Sequence, residues 1–125
     1  MTVCAFSMAL MSNKNVQKRP HVLVETYGEK DHWLYDTGSM CTVMGLKQFR
    51  KIPIQLRPQQ IPKQILLQGA NGSPLKIKGV YNMDLRINGR TIKHPVYVCS
   101  DMDHNILGID AIKTLGLNFK VELNG

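Results

Sequence analysis

At 125 residues and 43% hydrophobic content the chain is one ordinary globular domain, large enough to bury about two thirds of the surface its unfolded form exposes. Its net charge of +7 invites a nucleic-acid partner, yet the cations are spread along the chain, with loose groups only at Lys14 to Arg19 and Lys47 to Arg57, and aromatic residues make up 6%. There is no recognition-helix pattern, so a solvated basic surface accounts for the charge better than specific nucleic-acid binding.

Residues 1–19 show no sustained period and are expected to form a flexible extension. The apolar run from Cys4 to Met11 is too short for a membrane span and too weakly flanked for a signal peptide. His21 to Glu25 reads as a strand, Gly28-Glu29-Lys30 as a turn, and His32 to Tyr35 as the returning strand. Cys41 to Met44 continues as a short strand. Pro53, Pro58 and Pro62 then punctuate a stretch that cannot hold a long helix or a central strand, and a surface loop with edge strands is expected.

Gln64 to Leu67 and Leu75 to Lys78 are β-prone arms around the small-residue tip from Gln68 to Pro74. Glycine and asparagine tolerate positive φ there, as a flexible hairpin requires. An ordinary connecting turn is the competing reading. A second hairpin runs from Tyr81 to Ile87, turns at Asn88-Gly89 in the type I′ pattern, and returns from Thr91 to Cys99. Asn105 to Gly108 is a short buried strand, Ile109 to Leu115 one or two helical turns ended by Gly116, and Leu117 to Val121 a closing strand. The sum is a mostly antiparallel β domain with one short helix. Three cysteines, Cys4, Cys41 and Cys99, include no C-x-x-C pair, so neither a disulfide framework nor a zinc site is expected. A reducing intracellular setting fits them.

Chemistry centres on Trp33-Leu34-Tyr35-Asp36-Thr37-Gly38-Ser39. A carboxylate on a turn directly after a hydrophobic strand, followed by a hydroxyl and a glycine, is placed to react. Asp36 reads as half of a catalytic pair. Nothing else in the chain looks like the other half, which must come from a second copy. An Asx turn or a helix cap is the competing role for Asp36.

Leu34 to Ser39 followed by Thr42-Val43, the glycine-rich hairpin, and Ile106-Leu107-Gly108-Ile109-Asp110 stand in the order and approximate spacing of the retroviral aspartic proteases. From about Lys18 to Phe119 the sequence resembles that family, the retropepsins. The resemblance implies a retropepsin-like closed β-barrel or sandwich with a flap hairpin and one short C-terminal helix, assembled as an obligate two-fold homodimer. It implies a protease domain over 20–121 with a tail at 122–125, and no metal or organic cofactor. Catalysis falls to Asp36, Thr37 and Gly38, with Thr37 bonding across the dimer axis. Leu34, Ser39, Met40, Val43, Leu67, His104 and Ile106, with the flap tip Gly69, Ala70, Asn71 and Gly72, would meet substrate. Arg19, Ile109, Leu117, Asn118 and Phe119 would join Thr37 at the dimer interface.

Relatives commonly pair an acid after the triplet with an arginine after the late glycine, where this chain has Met40 and Ile109. Replacing both charges by apolar groups can be neutral or stabilising, so the interface is expected to hold by packing. Ser39 is expected to donate to the outer carboxylate oxygen of Asp36 and make the pair more acidic. The activity implied is a homodimeric aspartic endopeptidase cleaving linker peptides of its own retroelement polyprotein, in the host cytoplasm and the virion, with no membrane partner. A cellular protease of the same fold, an inactive dimerisation or peptide-binding module, and a basic RNA-associated segment are the alternatives.

Overall fold

Alternating side chains build the first hairpin of the computed structural model, which describes residues 2–5, 20–63, 65–69 and 72–116. In β2 (His21–Thr26) Val22, Val24 and Thr26 point inward while Leu23 is exposed, the two-residue period of a half-buried strand. Its partner β3 (Glu29–Tyr35) pairs antiparallel from His21↔Leu34 to Thr26↔Glu29. The turn sits one residue earlier than expected, at Tyr27-Gly28, with φ of 50° and 86°. A tyrosine carries no signal for positive φ, and it is held here because its hydroxyl accepts from the Asp84 N–H at 3.0 Å.

The long hairpin matches its expected turn. Strands β7 (Ile77–Ile87) and β8 (Arg90–Cys99) meet at Asn88-Gly89, both at positive φ. That twist suits the flanking strands. Met83, Leu85 and Ile87 face the core as their alternation predicts. β7 begins four residues before Tyr81, because a register shift between Ile77 and Gly79 lets one strand run through what reads as a break.

Six strands close on themselves. Their order is β2, β3, β9 (Ile106–Leu107), β4 (Val43–Gly45), β8 and β7, and a β2–β7 pairing completes the circuit. β5 (Gln59–Ile61) adds to the outside of β7, as an edge strand between prolines should. β6 (Ile65–Gln68) pairs parallel with the backbone of β1 (Thr2–Ala5), and among the described residues a single bridge, Gln68↔Pro74, joins the two arms expected of the small-residue hairpin, whose second arm merges at Ile77 into β7. β1 falls in a stretch read as lacking regular structure, since four residues are too few to show a period. The strand expected over Leu117 to Val121 lies outside the described residues.

The helix at the end of the chain is present as α2 (Ile109–Leu115), burying Ala111, Ile112 and Leu115 on one face. A further single turn, α1 (Leu46–Phe49), occupies part of the stretch read as loop. Its helicity comes from tertiary packing, with Phe49 buried in the barrel core. Trp33, Met44, Leu85, Val98 and Leu107 are among the side chains filling that core, and a smaller cluster around Val43, Tyr97 and Ile106 caps one side.

Candidate active site

β3 ends at Tyr35, and neighbouring backbone holds the loop that leaves it. The Asp36 N–H donates to the Leu107 carbonyl at 3.1 Å, Tyr35 N–H to Pro20 at 2.9 Å, and Ser39 N–H back to the Asp36 carbonyl at 3.1 Å. The catalytic candidate thus sits on a tight loop seated on the end of β9. Asp36 is 3% exposed, and its Oδ1 accepts from the Gly38 N–H at 2.9 Å. That bond is the Asx turn offered as a competing explanation. It does not explain the burial, because an ordinary Asx turn leaves its carboxylate in water. Thr37 and Gly38, directly beside this buried acid, are exposed.

One expectation about the loop is corrected. Ser39 is fully buried and its hydroxyl donates to the Cys41 carbonyl at 2.8 Å. A hydroxyl has one proton, so Ser39 does not donate to Asp36 and braces the loop from inside instead. Met40 is 56% exposed on the protomer, and Ile109 packs against the main core. The contact joining their segments is backbone, from Ile109 N–H to the Ser39 carbonyl at 2.8 Å.

Behind the loop lies a polar cluster that the sequence reading did not identify. Thr42 donates to Asp110 Oδ1 at 2.7 Å and accepts from the Gly108 N–H at 3.1 Å. The Ala111 N–H donates to the same carboxylate oxygen, and His94 Nε2 lies 2.9 Å from the other. Burial pushes the Asp110 carboxyl up, but the hydrogen bonds from His94 and Thr42, the His94 charge and the Ala111 N–H outweigh it. The net displacement is below the usual carboxylate value. Burial, then the Asp110 charge, raises the Tyr97 phenol nearby. A threonine in a strand and an acid after a glycine are common, and nothing in their spacing announces a shared network.

Leu34, Val43 and Ile106 are at most 1% exposed, and Val43 pairs directly with Ile106 between β4 and β9. They shape the site from behind and present no side chain at the protomer surface. His104 is half-buried in the loop before β9. Gly69 and Gly72 belong to the hairpin tip, where Gly69 N–H donates to Ser73 and Gly72 N–H to Gly69, each at 2.9 Å. Ala70, Asn71, Arg19, Leu117, Asn118, Phe119 and the Leu67 side chain lie outside the described residues. Cys41 is disulfide-bonded, contrary to the expectation from cysteine spacing, to a partner whose side chain is also outside them. Cys99 is free and buried. Among the described residues no group of three or more His, Cys, Asp and Glu side chains is arranged to hold a metal, and no helix is long and apolar enough to cross a membrane.

A search of curated proteins found no match. Among solved structures, the EIAV protease in complex with the inhibitor HBY-793 matches with a TM-score of 0.69 and 23% identity, over 83% of this chain and 94% of that one. The likeness is one of fold: a closed barrel with a short C-terminal helix. Residues 22–111 match the aspartyl protease family, a span that includes the buried Asp36, its Thr37-Gly38 neighbours and Asp110. The chain belongs to the aspartyl protease family.

Proposed function

We propose that the protein is an aspartic endopeptidase that acts as a homodimer, each protomer giving one Asp36 to a shared dyad. The observation that carries this reading is the pairing of a nearly buried carboxyl with exposed neighbours. Asp36 is withdrawn from water while Thr37 and Gly38 face out. The sequence holds a single Asp-Thr-Gly. Hydrolysis of a peptide bond needs one carboxylate to activate water and one carboxylic acid to protonate the scissile amide. Two carboxyls brought together by a two-fold axis share a proton, so one serves as base and the other as acid without metal.

In this reading Thr37 bonds across the axis and Gly38 receives the substrate main chain. The Gly69–Gly72 tip closes as a flap over an extended peptide, excluding water. His104 and Met40 lie along the groove, and Leu117, Asn118 and Phe119 with Arg19 complete the interface. The natural substrate is the protein's own retroelement polyprotein. The test is kinetic order. Specific activity on a peptide mixture should rise with protein concentration and level off as dimer saturates; activity proportional to concentration down to high dilution, with a monomer in sedimentation, would overturn the shared dyad.

Met40 supplies a second test. Its exposure means Met40→Asp should change protomer stability by about 0.5 kcal/mol at most. At the interface the new carboxylate lacks the arginine that relatives supply, so self-association should weaken, and adding Ile109→Arg should recover part of it. Equal dimer affinities for the single and double variants would remove the compensation.

A further inference from the structure

The Thr42–Asp110–His94 cluster joins three elements that are distant in sequence: the catalytic loop, α2 and β8. Asp110 lies below the usual carboxylate range, so both its oxygens accept. The 2.9 Å contact therefore makes His94 Nε2 a donor. On the other oxygen, Thr42 donates at 2.7 Å. Because the Gly108 N–H takes a lone pair of the same hydroxyl at 3.1 Å, the rotor of Thr42 has one setting. Thr42 is also anchored through its carbonyl, which accepts from the Tyr97 N–H at 3.0 Å.

The loop that begins at Asp36 is thus fastened at both ends to the segment 107–110. At its start Asp36 N–H bonds Leu107, at its centre Ser39 accepts from Ile109, and at its end Thr42 meets Gly108 and Asp110. The last fastening differs from the others, because it depends on a side chain from β8. His94 is 8% exposed and Asp110 is half-buried, and a partly desolvated carboxylate that loses one of its donors moves to recover one.

We propose that His94 is a positioning residue for the catalytic loop, acting through Asp110 on Thr42. Its ring contact is with Asp110. Its role is to occupy Asp110 Oδ2, which leaves Oδ1 to the Ala111 N–H and to the Thr42 hydroxyl, held in the setting that keeps the loop end on Gly108. This rests on the aspartic endopeptidase reading, and dyad geometry is where a displacement is most damaging, since a shift of about 1 Å can cost 10²-fold in rate.

The experiment uses the dimer at saturating protein concentration and the fastest-cleaved peptide of a mixture. His94→Phe fills the same space without a donor and should lower kcat about tenfold while KM stays within about twofold, the pattern of lost positioning. His94→Gln, a neutral donor of similar reach, should restore most of kcat. Thr42→Val, which removes the hydroxyl at constant size, should reproduce the kcat loss, and the double variant His94→Phe/Thr42→Val should be no worse than the weaker single. Unchanged kcat in a folded His94→Phe, or additive losses in the double variant, would overturn the proposal. Should His94→Phe not fold, Thr42→Val decides alone, an unchanged kcat refuting it. Wild-type protein that cleaves no peptide would refute the endopeptidase reading, a different outcome from any of these.

Discussion

Asp36→Asn should leave the protein folded and dimeric and lower kcat/KM by at least about 10³-fold, because both members of the dyad change at once. The carboxamide has the size of the carboxyl, and its oxygen keeps the Gly38 N–H bond now made by Oδ1. At 3% exposure the position tolerates no larger group. The chemistry is another matter. A carboxamide neither takes a proton from water nor gives one to the leaving amine, and positioned acid–base groups each contribute roughly 10²–10⁴-fold. The two losses do not add, since residues acting as a unit fail together. The wild-type pH profile should be bell-shaped, rising as one carboxyl of the pair ionises and falling as the second does. Peptide cleavage with thermal melting of the wild type and of Asp36→Asn checks this. An Asp36→Asn protein that retains cleavage with an unaltered pH profile would place the reaction elsewhere.

How much the residues announce in advance depends on how local the determining physics is. The Asn88-Gly89 turn, the Met83, Leu85, Ile87 alternation and the proline-flanked β5 are set by neighbours within a few positions, and each is found where local rules put it. Asp36 is legible for the same reason: strand, acid, hydroxyl and glycine are consecutive. Long-range contacts are not legible. Tyr27 takes up positive φ because β7 offers the Asp84 N–H across the sheet, and α1 is helical because the barrel core has room for Phe49. Ser39 shows the limit most sharply. Adjacency to the triplet suggested a bond to Asp36, but the loop curls tightly enough for the hydroxyl to reach Cys41 two residues on. His94, Asp110 and Thr42 lie up to 68 positions apart, and only closure of the barrel brings them together.

Gly108→Ala should be the most damaging single substitution outside Asp36, and its cause is unlike that of most glycine replacements. At φ −84° and ψ 173° the backbone of Gly108 is one that alanine adopts freely. The obstacle is space: a Cβ there would lie 2.3 Å from the Cys41 carbonyl oxygen and 2.5 Å from its carbon. Those are backbone atoms, so no side-chain rotation relieves the clash, and the catalytic loop must move off β9. Moving it strains the Gly108–Thr42 and Ile109–Ser39 bonds together. Overpacking of this kind costs about 1–3 kcal/mol and occasionally more; with two loop fastenings involved, about 3 kcal/mol and a loss of activity near 10²-fold are expected. Gly89→Ala is the matched comparison. Gly89 has φ 78° and no atom within 4 Å of an added Cβ, so it should lose only about 1 kcal/mol from backbone strain and keep full activity. If the two variants melt alike and cleave alike, close approach at Gly108 does not seat the Asp36 loop. If Gly108→Ala alone loses activity while it still folds, that approach is what holds Asp36 in place.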